Sequence, residues 1–206
     1  MAEFFSDLLE TDSGLVRKWG RQLVAVQDYS EAVPEQFFDE TGLPVLPSTA
    51  KQLGFITTEG STAAQAVSAT PTNMLQILQP VRNDLESKEK TYAMAFGEGS
   101  NAYVWGVYNG QKVADFPASP GGAFLFSGGE PEFPLYRLWL IAADGVGANA
   151  RYRIEYAPAA QVTATTDRTL ARSNPETLGF TFSCNWDTAE DTDLMVMENG
   201  PGLIEP

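Results

Sequence analysis

Large and small side chains alternate along residues 91–96. Tyr92, Met94 and Phe96 fall on one face; Thr91, Ala93 and Ala95 fall on the other. A two-residue period is the signature of a strand, and the small face suits close packing against a helix or a second sheet. The same period runs through residues 151–156, where Tyr152, Ile154 and Tyr156 oppose Arg151, Arg153 and Glu155. Residues 136–142 form a stronger apolar run, and Asp144-Gly145 begins a loop that would join the two as a hairpin. Leu23-Val24-Ala25-Val26 predicts a first strand. Leu53-Gly54-Phe55-Ile56-Thr57 predicts a second, closed by Glu59-Gly60. Ala123-Phe124-Leu125-Phe126, a Thr-rich edge-like stretch over residues 162–172, and residues 178–185 complete the strands. A single window reads as helix: Ser100 as N-cap, Gly110 as the stop, and Ala102, Tyr103, Val104, Trp105, Val107 and Tyr108 between them.

Other stretches lack such a period. Pro34, Pro44 and Pro47 exclude a central strand between the first two strands. Residues 61–76 are mostly Ala, Ser, Thr and Gln and can bury little. A polar connection of that length is uncommon unless it is functional or disordered; extended chain, or order supplied only by a neighbour, are the alternatives. Phe4, Phe5, Leu8 and Leu9 suit a short amphipathic helix or an arm that orders on contact. Residues 61–90 and this arm are therefore expected to be mobile in a free subunit and ordered in an assembly. The organisation expected is one domain over residues 1–206. It comprises an N-terminal arm at 1–20, a β core at 21–185 with a long loop at 57–90, and an acidic tail at 186–206.

Composition removes most chemistry. The chain has no histidine and one cysteine, so it offers no imidazole zinc site, no triad of the usual kind and no internal disulfide. Cys184 lies in an apolar stretch and reads as a small buried residue. Glu86-Ser87-Lys88 matches a nuclease fragment too short to carry information. Asp187, Glu190, Asp191 and Asp193 form a weak Ca²⁺ candidate, without the glycine and terminal glutamate of an EF-hand loop. A solvated acidic tail is the better reading. The net charge of −14 opposes duplex binding. No apolar run is long enough to span a bilayer, and the acidic start is not a signal peptide. The reading is non-enzymatic, without cofactor, catalytic residue or membrane insertion, and with synthesis in a cytoplasm.

Several segments, taken in order, resemble the major tail tube family of siphophages, above all those of actinobacterial hosts. They are Leu53-Gly54-Phe55-Ile56 with Glu59-Gly60; Pro80-Val81-Arg82 followed by Lys88-Glu89-Lys90-Thr91; the helix that ends at Tyr108; the Thr-rich stretch; and Leu178-Gly179-Phe180-Thr181-Phe182. The resemblance covers residues 50–185 and leaves out the N-terminal 14 residues and the acidic end. It implies a mainly β fold, a sandwich or barrel of the tail tube type with one flanking helix and long arms. It further implies hexameric rings that stack into a tube in the virion, through which DNA passes without specific binding. Implied partners are further copies of the chain, a tape measure protein, and the tail terminator and distal tail proteins. Candidate subunit-interface residues are Phe4, Phe5, Leu8, Leu9, Leu75, Leu78, Pro80 and Arg82. Acidic residues on the lumen wall would repel the passing polyanion. Rival readings are a decoration or neck protein of a virion, and a carbohydrate-binding sandwich using Trp105, Trp139 or Trp186.

Overall fold

The computed structural model describes residues 16–126 and 132–200. Eight antiparallel strands form one continuous sheet: β1 (Arg21–Asp28), β2 (Lys51–Gln52), β3 (Ile56–Met74), β4 (Ile77–Phe96), β5 (Tyr136–Asp144), β6 (Arg151–Thr165), β7 (Leu178–Asn185) and β8 (Met195–Asn199). The order is β2-β1-β5-β6-β7-β4-β3, with β8 also on β6. The fold is mainly β, with one α-helix, α1 (Ala102–Tyr108), among the described residues.

β6 turns this sheet into two layers. Its first part pairs with β8 through residues 152–156, and its second part pairs with β7 from Ala159. Between the two parts, Leu138 faces Ala157 and Tyr136 faces Ala160, so Pro158 and Ala159 oppose one residue of β5. A bulge bends a strand and leaves a residue outside the ladder, which suits a proline that has no N–H to donate. The layers then face each other. Val24, Val26, Leu138 and Leu140 of the first share one buried cluster with Tyr92, Met94, Phe96, Phe180 and Phe182 of the second. Tyr136 meets Phe182 edge-on at 6.3 Å across this interior.

The helix packs into the same cluster through Tyr103, Val104 and Val107. Its cap is Asn101 rather than Ser100: the Asn101 side chain accepts the Tyr103 N–H at 2.9 Å. Gly110 at φ 68° ends it as expected, its N–H donating to the Val107 carbonyl. Gly106 lets Phe116 approach, since a Cβ there would lie 2.2 Å from its ring. A smaller cluster of Ala25, Trp139, Ile154 and Tyr156 lies on the other side of the first layer. It is covered by Phe37, Phe38 and Leu46 of the proline-rich connection and by Met195 and Met197 of β8.

The strands expected at residues 91–96, 136–142, 151–156 and 178–185 are present, and the first one extends over Arg21–Asp28. Other expectations are corrected. Residues 53–55 are not a strand; Gly54 has φ 81°, and Leu53 is buried with its N–H on the Val24 carbonyl. Residues 123–126 form no ladder, because Phe124 and Phe126 fold onto Trp105, at 6.0 and 6.3 Å, instead of pairing. The Thr-rich strand is the end of β6 and stops at Thr165. Ala93, expected against a second layer, is exposed. The stretch 57–90, read as a loop, is a hairpin continuous with the body. The acidic tail contributes β8, whose Met195 and Met197 cover the second cluster.

Candidate assembly surface

β3 and β4 pair from Ser61 and Met94 out to Met74 and Ile77. β4 pairs with β7 only as far as Lys90, which also faces Gln65. Beyond that point the two strands pair only with each other among the described residues. Nine further residues of β3 carry the ribbon about 30 Å outward at roughly 3.3 Å per residue. Both of its outer edges leave backbone N–H and C=O groups without a strand partner.

The body sets the faces of this ribbon. Tyr92 and Met94 point into the core, so Ala63, Gln65, Val67, Lys88 and Lys90 continue that face outward. Between Ser68/Ser87 and Ala69/Leu85 the register slips, and β4 has one extra residue, Glu86. Its carboxylate accepts the Thr70 hydroxyl. A one-residue slip exchanges the faces of a strand. Here it keeps Leu85 and Val81 on the face of Val67, Ala69 and Pro71; otherwise they would turn to the side of Thr70 and Thr72. Leu85 is 72% exposed, and Val67 and Val81 are exposed too. At the tip Leu75 and Leu78 are 100% and 105% exposed, flanked by Met74 and Ile77. Exposed apolar surface of this kind is characteristic of contact sites, which makes the hairpin the candidate surface.

Of the residues picked out in sequence, Leu75, Leu78, Pro80 and Arg82 all lie on the outer part of this hairpin. Arg82 is paired with Asp84 on the polar face. Phe4, Phe5, Leu8 and Leu9 lie outside the described residues. Sequence reasoning missed Val67, Val81 and Leu85. Their signal is the alternation of Val81, Asn83 and Leu85, which the extra residue Glu86 puts out of phase with Tyr92 and Met94.

The Ca²⁺ candidate is not assembled. Among the described residues no group of three or more His, Cys, Asp or Glu gathers to hold a metal. Asp193 binds Lys90, Glu190 faces Arg137 at 3.5 Å, and Asp187 is buried with its Oδ1 accepting the Ala189 and Glu190 N–H groups. Nearby cations and amides, not sequence spacing, decide where these carboxylates point.

The body carries little other chemistry. Burial, with the Asp193 charge behind it, pushes the Cys184 thiol up to about 12, so thiolate is scarce at neutral pH. A cavity of about 150 Å³ is lined by Gln22, Leu140, Tyr92, Arg153 and Glu155. Its charged groups are matched: the Tyr92 hydroxyl donates to Glu155, and Arg153 pairs with Glu198. Trp139 is fully buried, and Arg168 lies 4.6 Å over the Trp105 ring, which also meets Phe124 and Phe126. Neither offers an open sugar platform; Trp186 is exposed.

These features define a two-layer β protein with a projecting ribbon. The chain matches no protein-family model and no curated protein. Among solved structures it is similar to a chain of the anti-feeding prophage baseplate, determined by cryo-electron microscopy with six-fold symmetry. That similarity has 11% identity, covers 95% of this chain and 100% of that one, and gives a TM-score of 0.44. At that distance it assigns no function to this chain.

Proposed function

We propose that this chain is a self-assembling structural subunit of a bacteriophage tail. In this reading its hexameric rings stack into the tube through which DNA leaves the virion. The observation that carries the self-assembly is the hairpin. Its apolar face and tip remain exposed in the subunit, and its two edges lack strand partners among the described residues. An isolated two-stranded ribbon is marginal in water, and an uncovered edge invites pairing with another chain. Further copies of the chain supply what is missing on both counts. The ring, the stack and the lumen rest on the resemblance described above. So do the tape measure, terminator and distal tail partners.

Residues 61–90 carry Arg82, Lys88 and Lys90 against Asp84, Glu86 and Glu89. The arm is therefore balanced in a chain of net charge −14. Self-repulsion resides in the body, and the arm can approach a like-charged copy at less Coulomb cost than a second body.

Negative-stain microscopy and light scattering of the purified chain test this reading. Tubes with an axial channel are expected. Leu75→Asp combined with Leu78→Asp is expected to leave monomers with an unchanged circular dichroism spectrum. Closed rings that never stack would favour a decoration or neck role. A wild-type chain that stays monomeric at every concentration and ionic strength would overturn the reading.

A further inference from the structure

We propose that the turn over residues 187–194 is a strut that fixes the direction in which the hairpin leaves the body, with Asp193 as its positioning residue. This rests on the hairpin being the assembly arm. The hairpin's root is where a hinge would form. β3 slips against β4 between Ile56 and Ser61, and Gly60 there has φ 73°. β4 loses its second neighbour after Lys90. From that point a two-stranded ribbon must hold its own direction, and ribbons of that kind twist and bend readily.

The turn meets the ribbon at this place. Asp193 Oδ1 accepts from Lys90 Nζ at 2.8 Å, and Lys88 Nζ lies 3.9 Å from Oδ2. One carboxylate thus holds two successive positions on the core face of the ribbon. Leu194 lies across a recess from Ala63, Ala64 and Gln65 of the opposite strand. The Lys90 and Asp193 side chains are only 17% and 19% exposed, so solvent screens this pair less than a surface pair. Burial alone would raise the Asp193 carboxyl, yet Lys90 and then Lys88 hold it below its ordinary value.

The turn itself is stiff. Asp187 and Thr192 exchange backbone hydrogen bonds at 2.9 and 3.3 Å. Asp187 Oδ1 accepts from the Ala189 and Glu190 N–H groups at 2.7 and 3.2 Å. Glu190 faces Arg137 of β5, and the turn leads from β7 of one layer to β8 of the other. The hairpin's direction is thereby referred to both layers of the body, not to β4 alone.

The experiment measures direction in separated subunits, in the full-length Leu75→Asp, Leu78→Asp background. Nitroxide labels on Asn73→Cys at the hairpin tip and Ser119→Cys on the body report a distance distribution. The native Cys184 is buried and stays unlabelled. A narrow distribution is expected with Asp193 intact. Asp193→Asn is expected to broaden it about twofold, as local constraint is lost. Lys90→Gln, the second variant, is expected to do the same, and Asp193→Glu to stay narrow. A distribution that is already broad with Asp193 intact would overturn the proposal. So would one that stays narrow in both Asp193→Asn and Lys90→Gln. The readout does not require assembly. Failure to form tubes would count against the tail reading and leave these distances to decide the strut.

Discussion

The body and the hairpin are made from the same sheet, yet their strands are stabilised by different things. In the body, Phe180, Phe182, Tyr136 and Leu138 lose nearly all contact with water. In the hairpin beyond Lys90, most side chains on both faces are exposed. Burial at roughly 25 cal/mol per Å² drives the first. The second relies on cross-strand pairs worth about 0.2–1 kcal/mol each. One sheet can thus hold a region closed by its own burial and a ribbon held by its ladder, with its apolar face left uncovered.

Substitutions sharpen that contrast, and the largest effect belongs to the body. Phe182 is fully buried, with Phe180 at 5.4 Å and Tyr136 at 6.3 Å. Phe182→Ala is expected to cost about 3–5 kcal/mol in urea denaturation of separated subunits. A loss under about 1 kcal/mol would show that the two layers are loosely packed. Next comes the helix. Asn101→Ala removes the acceptor for the Tyr103 N–H and is expected to cost about 1 kcal/mol by the same measurement. Smallest is Leu85→Ser on the hairpin, expected to change subunit stability by less than about 0.5 kcal/mol while weakening assembly. If Leu85→Ser instead destabilised the lone subunit as much as Asn101→Ala, the hairpin would be part of the body's core and the contrast would fail.

The same division governs what was legible in the sequence. Residues 91–96, 151–156 and 178–185 announce their strands because their alternation is the imprint of their own burial. The helix was legible from its apolar window and from Gly110, although the capping side chain is one residue later than Ser100. β3 was not legible, since residues 61–74 bury little in this chain and so carry no apolar period. What makes them a strand is the ladder to β4, and cross-strand pairing leaves no local trace. Residues 123–126 misled for the opposite reason: Phe124 and Phe126 alternate, but they satisfy that pattern against Trp105 without any ladder. β8 did leave a signal in Met195 and Met197, masked by the acidic residues before it. At the candidate assembly surface the tip leucines were visible as apolar residues in a polar stretch. Val81 and Leu85 were hidden, because their face depends on one unpaired residue, Glu86.

The path of β6 has a consequence for cooperativity. It pairs with β8 at one end and β7 at the other, while β5 runs along its far edge past the Pro158 bulge. Neither layer can open without stripping hydrogen bonds from a strand that the other layer also needs. The body is therefore expected to open as one unit rather than as two half-domains in series. A tension applied through the hairpin passes along β4 into β7, reaches β6, and is shared there by both layers at once.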